Sequence, residues 1–169
     1  MFKEIAIEDL PWSPFPHKKG NWFLVTAGEP GASNPLLATY GGLLSLWSGN
    51  CAAIFIRESR FTKHLLDEGD HFSLSVLPPE YKENVRYCGS HSGRDGDKWK
   101  GAGLSETVID GIPACAEAET ILLCRKLAAV STDRMAMAAD IHKACYEGRW
   151  EGNPHTMYIG EIIKVLRKM

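Results

Sequence analysis

The segment Arg57-Glu58-Ser59-Arg60-Phe61-Thr62 places two guanidinium groups and two hydroxyls within six residues. It follows the apolar run Cys51–Ile56 and opens the helical spacing of Phe61–Glu68. It therefore falls where the first turn of a helix leaves backbone N–H groups free. A phosphate monoester calls for this set: charge-assisted bonds from guanidinium groups, hydroxyl donors and a helix N-terminus. The competing reading is a surface turn whose arginines pair with Glu58 or Asp67. A second cluster runs from Ser92 to Lys98 (SGRDGDK). Its glycines let backbone approach a ligand, and Lys98 offers a mobile charge. Taken alone it reads as an exposed loop with internal salt bridges.

Two further stretches invite chemistry. Asn34 to Gly42 (NPLLATYGG), followed by Trp47, joins a polar residue, a strand and a double glycine. It could set backbone donors and acceptors against a flat heterocycle, or be simply a strand and its turn. His155 stands just before the strand-like Thr156–Leu166, where a lone histidine is more often structural than catalytic. Cys88 and His91 are close enough in sequence to form a thiolate pair, although a helix end running into a polar loop is the preferred reading.

Other chemistries lack their residues. No GxxxxGK[ST] or HExxH occurs, and Gly101-x-Gly103 meets Glu106 where a dinucleotide fingerprint needs glycine. Gly89-Ser90-His91-Ser92-Gly93 has the frame of a nucleophile elbow with histidine at its centre, so a hydrolase is unsupported. Five cysteines at wide spacings, with no CxxC, argue against a disulfide framework or a zinc site. They point to reduced thiols in a cytoplasmic protein.

The elements that must position these residues follow from periodicity. Strands are expected at Trp22–Thr26, Leu36–Tyr40, Cys51–Ile56 (buried on both faces), His71–Leu77, Thr120–Val130 and Thr156–Leu166, the last with Gly160 as a bulge or close approach. Helices are expected at Phe61–Glu68, Glu80–Cys88 and Arg134–Glu147, and a loop at Ser90–Gly103. Pro11–Pro16 reads as an extended lead-in that packs by its aromatic rings. Many strands, few helices and no regular alternation favour a closed antiparallel barrel over a doubly wound sheet.

The whole chain of 169 residues has the size of one domain, residues 1–169. Nineteen Lys and Arg against 21 Asp and Glu leave a net charge of -2, which argues against a general nucleic-acid binder. No apolar stretch is long enough for a membrane span, and the first ten residues lack the apolar run of a secretory signal.

In collinear order, WFLVTAG, N-x-x-x-A-T-Y-G-G, R-E-S-R-F-T, CGSHSGRDGDK, LLCRKL and H-T-M-Y-I-G-E-I resemble the flavin reductase-like family, including flavoredoxin-type members. The resemblance runs from about Trp22 to Val165. It implies a mainly β fold with peripheral helices, a Greek-key antiparallel split β-barrel, usually a homodimer with FMN near the interface. Arg57, Ser59, Arg60 and Thr62 would hold the FMN phosphate, and Lys98 would reach the phosphate or ribityl chain. Asn34 and the backbone of Ala38, Thr39, Tyr40 and Gly41 would run along the isoalloxazine, with His155 nearby. The chain departs from the family pattern at Leu37, where a hydroxyl residue is common, at Tyr40, where tryptophan is common, and at Pro35.

The expected function is an FMN-dependent oxidoreductase passing electrons from NADH or NADPH through flavin to a second acceptor, a small molecule or a protein. A flavin-binding electron carrier without its own nicotinamide site shares every one of these motifs. A thiol sensor using Cys88 is the third reading.

Overall fold

The computed structural model describes residues 23–47 and 49–168. The expected lead-in Pro11–Pro16 and Trp22 lie outside the described residues. In chain order the elements are β1 (Phe23–Ala27), β2 (Asn34–Ala38), β3 (Gly41–Leu46), β4 (Gly49–Arg57), α1 (Phe61–Glu68), β5 (His71–Val76), α2 (Lys82–Ser90), α3 (Lys98–Ala102), β6 (Glu106–Ile109), β7 (Ile112–Cys115), β8 (Thr120–Ser131), α4 (Ala139–Tyr146) and β9 (His155–Arg167).

Seven strands form one antiparallel sheet in the order β2-β1-β5-β8-β9-β4-β3. The outer strands of that order, β2 and β3, are joined by Thr39 and Tyr40 alone. Three Cα steps reach at most about 11 Å, so the two edges of the sheet must lie beside one another. They do: the backbone N–H of Phe55 in β4 donates to the Tyr40 carbonyl at 3.1 Å. The sheet is thus wrapped into a barrel whose seam opens where β2 passes into β3.

Period-two side-chain alternation divides the core. On β1, Val25 faces the barrel interior with Ile54, Ile56, Phe72, Leu74 and Tyr158. Its neighbour Leu24 faces outward, into a second cluster under α2, α3 and the β6–β7 hairpin. β4 follows the same rule: Ala52, Ile54 and Ile56 are buried on one face, while on the other Cys51 is buried and Ala53 and Phe55 are half-buried, so that face is covered only in part. Pro35 sits in β2, at the end of the strand order, the place where a strand tolerates a residue without an N–H.

Several elements differ from expectation for identifiable reasons. Gly41-Gly42 begins a strand rather than ending one, because the backbones pack too closely there for side chains: a Cβ on Gly41 would overlap the Ala53 carbonyl oxygen. The expected loop Ser90–Gly103 holds the short helix α3, which Asp97 caps by accepting from the Lys100 N–H at 3.1 Å and Gly103 closes in a left-handed conformation. The β6–β7 hairpin turns on Asp110 (φ 51°) and Gly111 (φ 80°), the backbone that an Asp-Gly turn supplies. Only Ala139–Tyr146 of the expected helix Arg134–Glu147 is α-helical, and none of its residues is buried. Among the described residues no helix is long and apolar enough to cross a membrane.

Candidate flavin site

α1 is docked by its C-terminal end. The Lys126 ammonium donates to the carbonyls of Leu66 (2.7 Å) and Asp67 (2.9 Å), and the Tyr158 hydroxyl donates to Asp67 Oδ1 at 2.5 Å. Its N-terminal end meets the start of β2, where Asn34 lies. Arg60 takes the N-cap position with an extended backbone and no side-chain cap, which leaves first-turn N–H groups of this eight-residue helix available.

A cavity of about 80 Å³ lies at that end, lined by Asn34, Ser59, Arg60, Thr62, Gly93 and Lys98 among others. Thr62 is fully buried, and its hydroxyl accepts from the Asn34 amide at 2.7 Å, which fixes Asn34 at the first position of β2. Gly93 closes over them; a Cβ there would overlap the Asn34 carboxamide oxygen and the Phe61 ring. Arg60 is oriented by donation to the Gly89 carbonyl at 3.0 Å.

Lys98 is 4% exposed, and its ammonium donates to the Cys88 carbonyl at 2.7 Å. Burial, reinforced by the charge of Arg60, brings its pKa down to about 8. Among the described residues no carboxylate lines this cavity. Two cations, two hydroxyls and a helix N-terminus thus converge on a space without a counter-charge, and a phosphate dianion supplies what they lack.

The remaining residues picked from the sequence gather at the other end of β2. Ala38 is buried, whereas Thr39 and Tyr40 are exposed at the seam. The Tyr40 ring meets His155 edge-on at 5.4 Å between centroids. His155 is buried, its Nδ1 lies 3.0 Å from the Tyr146 hydroxyl, and burial and Arg57 press its pKa down to about 4. Arg57 belongs to this group and not to the cavity. Its guanidinium donates to the carbonyls of Asn153 (2.9 Å) and Cys145 (3.2 Å) and stacks 4.0 Å from the Trp150 ring centroid. Ser59 bridges the groups: its N–H donates to Asn153 Oδ1 at 3.0 Å, and its carbonyl accepts from Arg94 at 3.0 Å.

Tyr146, Trp150 and Asn153 were not singled out by sequence reasoning, and Arg94 entered it only as part of the Ser92–Lys98 cluster. The first three come from the segment after β8, and no short spacing links them to residues 57–59. Leu37 turns away from the cavity and packs on α2, where a Cβ on Gly89 would come within 3.0 Å of it. Cys88 and His91 do not pair. Cys88 is fully buried with its thiol pushed up to about 11, and the His91 ring stacks on Tyr87 at 3.7 Å. A thiol-sensor role therefore finds no support at Cys88.

Residues 18–168 match the flavin reductase like domain. The chain belongs to the flavin reductase-like family. Solved structures share its fold at low identity. The FMN-binding protein of Thermus thermophilus superposes with a TM-score of 0.68 at 22% identity, over 99% of this chain and 82% of that one. Flavoredoxin of Desulfovibrio vulgaris (Miyazaki F) gives 0.67 at 19%, over 87% and 69%. The NADH:FAD oxidoreductase of Streptomyces globisporus C-1027 gives 0.64 at 21%, over 87% and 75%. No curated protein matches by sequence. The fold is the FMN-binding split barrel of the flavin reductase-like proteins, and flavin-related oxidoreduction is the chemistry of the family.

Proposed function

We propose that the chain binds FMN and passes electrons from NADH or NADPH to a second acceptor. The observation that carries this reading is the convergence of Arg60, Lys98, Thr62 and the α1 N-terminus on a cavity without a carboxylate, in a member of this family. FMN, when bound, supplies hydride acceptance and electron release. The chain supplies position and charge. Arg60 and Lys98 neutralise the phosphate, and Thr62, held by Asn34, presents its hydroxyl at the helix start. β2 leads from this cavity toward Tyr40, its four residue steps to Ala38 covering on the order of 13 Å. His155 remains neutral at physiological pH and acts by hydrogen bonding rather than by proton exchange.

The reading includes a homodimer and a cytoplasmic setting, the latter supported by five free cysteines, four of them buried. The test begins with protein purified without added cofactor, its visible spectrum, and release of any chromophore. Near-stoichiometric FMN that bleaches rapidly with NADH or NADPH under anaerobic conditions is the expected result. Bleaching only by dithionite or a partner protein would make it an electron carrier instead. Arg60→Ala should weaken FMN binding about tenfold or more, the worth of a lost charged hydrogen bond.

A further inference from the structure

One side chain joins the phosphate motif to the segment after β8. β4 and β9 pair as far as Arg57 opposite His155, and the ladder then runs on by one more rung, the Glu58 N–H donating to the Pro154 carbonyl at 2.9 Å. Proline has no N–H with which to return a bond. The next position is held instead by the Asn153 carboxamide. Its Oδ1 accepts from the Ser59 N–H at 3.0 Å, and its Nδ2 donates to Ser59 Oγ at 3.1 Å.

Hydrogen-bond chemistry fixes which way this carboxamide points. A backbone N–H can only donate, so the atom facing it is the oxygen, and the amino group is left facing Ser59 Oγ. That amino group can only donate in turn, so the Ser59 hydroxyl accepts from it. A hydroxyl has one proton and two lone pairs. With a lone pair engaged by Asn153, the proton is turned away from Asn153, and Ser59 lines the phosphate cavity together with Arg60, Thr62 and Lys98. Asn153 is itself held in place. Its carbonyl accepts from Arg57 at 2.9 Å, its N–H donates to the Trp150 carbonyl at 3.1 Å, and the Arg57 guanidinium rests on the Trp150 ring. On the other side of the turn, Arg94 engages the Ser59 carbonyl.

We propose that Asn153 is a positioning residue for the phosphate: it directs the Ser59 O–H into the cavity and so gives this chain part of its preference for a phosphorylated flavin over the unphosphorylated one. The inference rests on the flavin reading above and deepens it. Arg57, which turns away from the cavity, then serves the phosphate through Asn153 rather than by contact.

Titrations of the full-length protein with FMN and with riboflavin, which lacks the phosphate, test it by flavin fluorescence. Asn153→Asp keeps the shape, and one oxygen still accepts from the Ser59 N–H. Its second oxygen faces Ser59 Oγ as an acceptor and draws the hydroxyl proton away from the phosphate. FMN affinity should fall about tenfold or more, with riboflavin affinity within about twofold of wild type. Asn153→Ala frees the hydroxyl without adding a charge and should cost FMN several-fold, again sparing riboflavin. In a Ser59→Ala background the hydroxyl is gone, so Asn153→Ala should cost little more and Asn153→Asp only about threefold, the share of its charge. A melting curve on each variant confirms that it folds, and either Asn153 variant suffices if the other does not. Equal losses for FMN and riboflavin would make Asn153 merely structural and overturn the inference. So would unchanged FMN affinity, or losses as large without the Ser59 hydroxyl as with it. Wild-type protein that binds FMN no more tightly than riboflavin would remove the phosphate from this cavity, and protein that binds neither would overturn the flavin reading itself.

Discussion

An ammonium group that is 4% exposed and bonded to one carbonyl holds its proton weakly, and Lys98 accordingly titrates at about 8. Between about 8 and the ordinary 10.5, the unfolded chain carries a proton here that the folded chain has released. The folded state therefore gains stability from this residue as pH rises through that window. A bound phosphate reverses the preference, because the dianion favours the charged ammonium. Binding above pH 8 must then take up a proton, and affinity falls by at most about tenfold per pH unit. The phosphate is already ionised above neutrality and does not contribute to the slope. FMN titrations at pH 7 and pH 9 should show affinity falling by about tenfold. Lys98→Met should bind weakly at both values, with the slope gone. Wild-type affinity that is level or rising over this range would remove Lys98 from the phosphate site. The neighbouring arginines show how little spacing says at this scale. Arg57 and Arg60 stand three positions apart in one motif. Yet Arg57 ends β4 and turns toward Trp150, while Arg60 caps α1 and turns toward Gly89. Strand end against helix start decides their directions, and a residue pattern does not record it.

At the scale of elements, periodicity showed where the two faces of a strand meet different surroundings. His71–Val76 alternates because Phe72 and Leu74 enter the barrel, while the hydroxyls of Ser73 and Ser75 bond the β6–β7 hairpin on the other side. β3 escaped because glycine, which permits the closest approach of two strands, is also the commonest turn residue. The β6–β7 hairpin left a sign in Ile109-Asp110-Gly111-Ile112, but four-residue strands are too short for alternation to register. Gly160 is a close approach: a Cβ there would lie 2.6 Å from Phe72 Cζ and 3.0 Å from Cys124 Cβ. Its partner β8 also changes register beside it, between Lys126 and Ala128. Phe72 is 1% exposed at the centre of the barrel and has nowhere to retreat. Gly160→Ala should therefore destabilise the fold by about 1–3 kcal/mol, the usual cost of overpacking. Urea denaturation should show the midpoint falling with the slope unchanged. A neutral result would mean that the Phe72 ring has a second home.

For the molecule as a whole, wrapping the sheet into a barrel settles what stays exposed. The β3–β4 hairpin and the ends of β8 and β9 border an open groove of about 810 Å³, lined largely by apolar residues, among them Leu43, Ile163 and Val165. Trp47, at the tip of the same hairpin, is 64% exposed, and Val165 is 61% exposed. Single exposed apolar residues need no explanation, but a contiguous set around a concavity is surface that water covers poorly. In the proposed homodimer a second copy would cover it, since one self-complementary patch suffices for a twofold contact of about 800 Å² per partner. Val165 separates the alternatives, because it is open to solvent in the single chain. Val165→Glu should cost the monomer no more than about 0.5 kcal/mol, as surface substitutions do. In a dimer the same change buries an unpaired carboxylate, and the desolvation penalty of several kcal/mol drives the copies apart. Light scattering at micromolar concentration should give twice the chain mass for the wild type and the chain mass for Val165→Glu, with closely similar melting temperatures when both are dilute. A monomeric wild type would leave the groove to another occupant. A dimer that survives the substitution would place the contact on a different face.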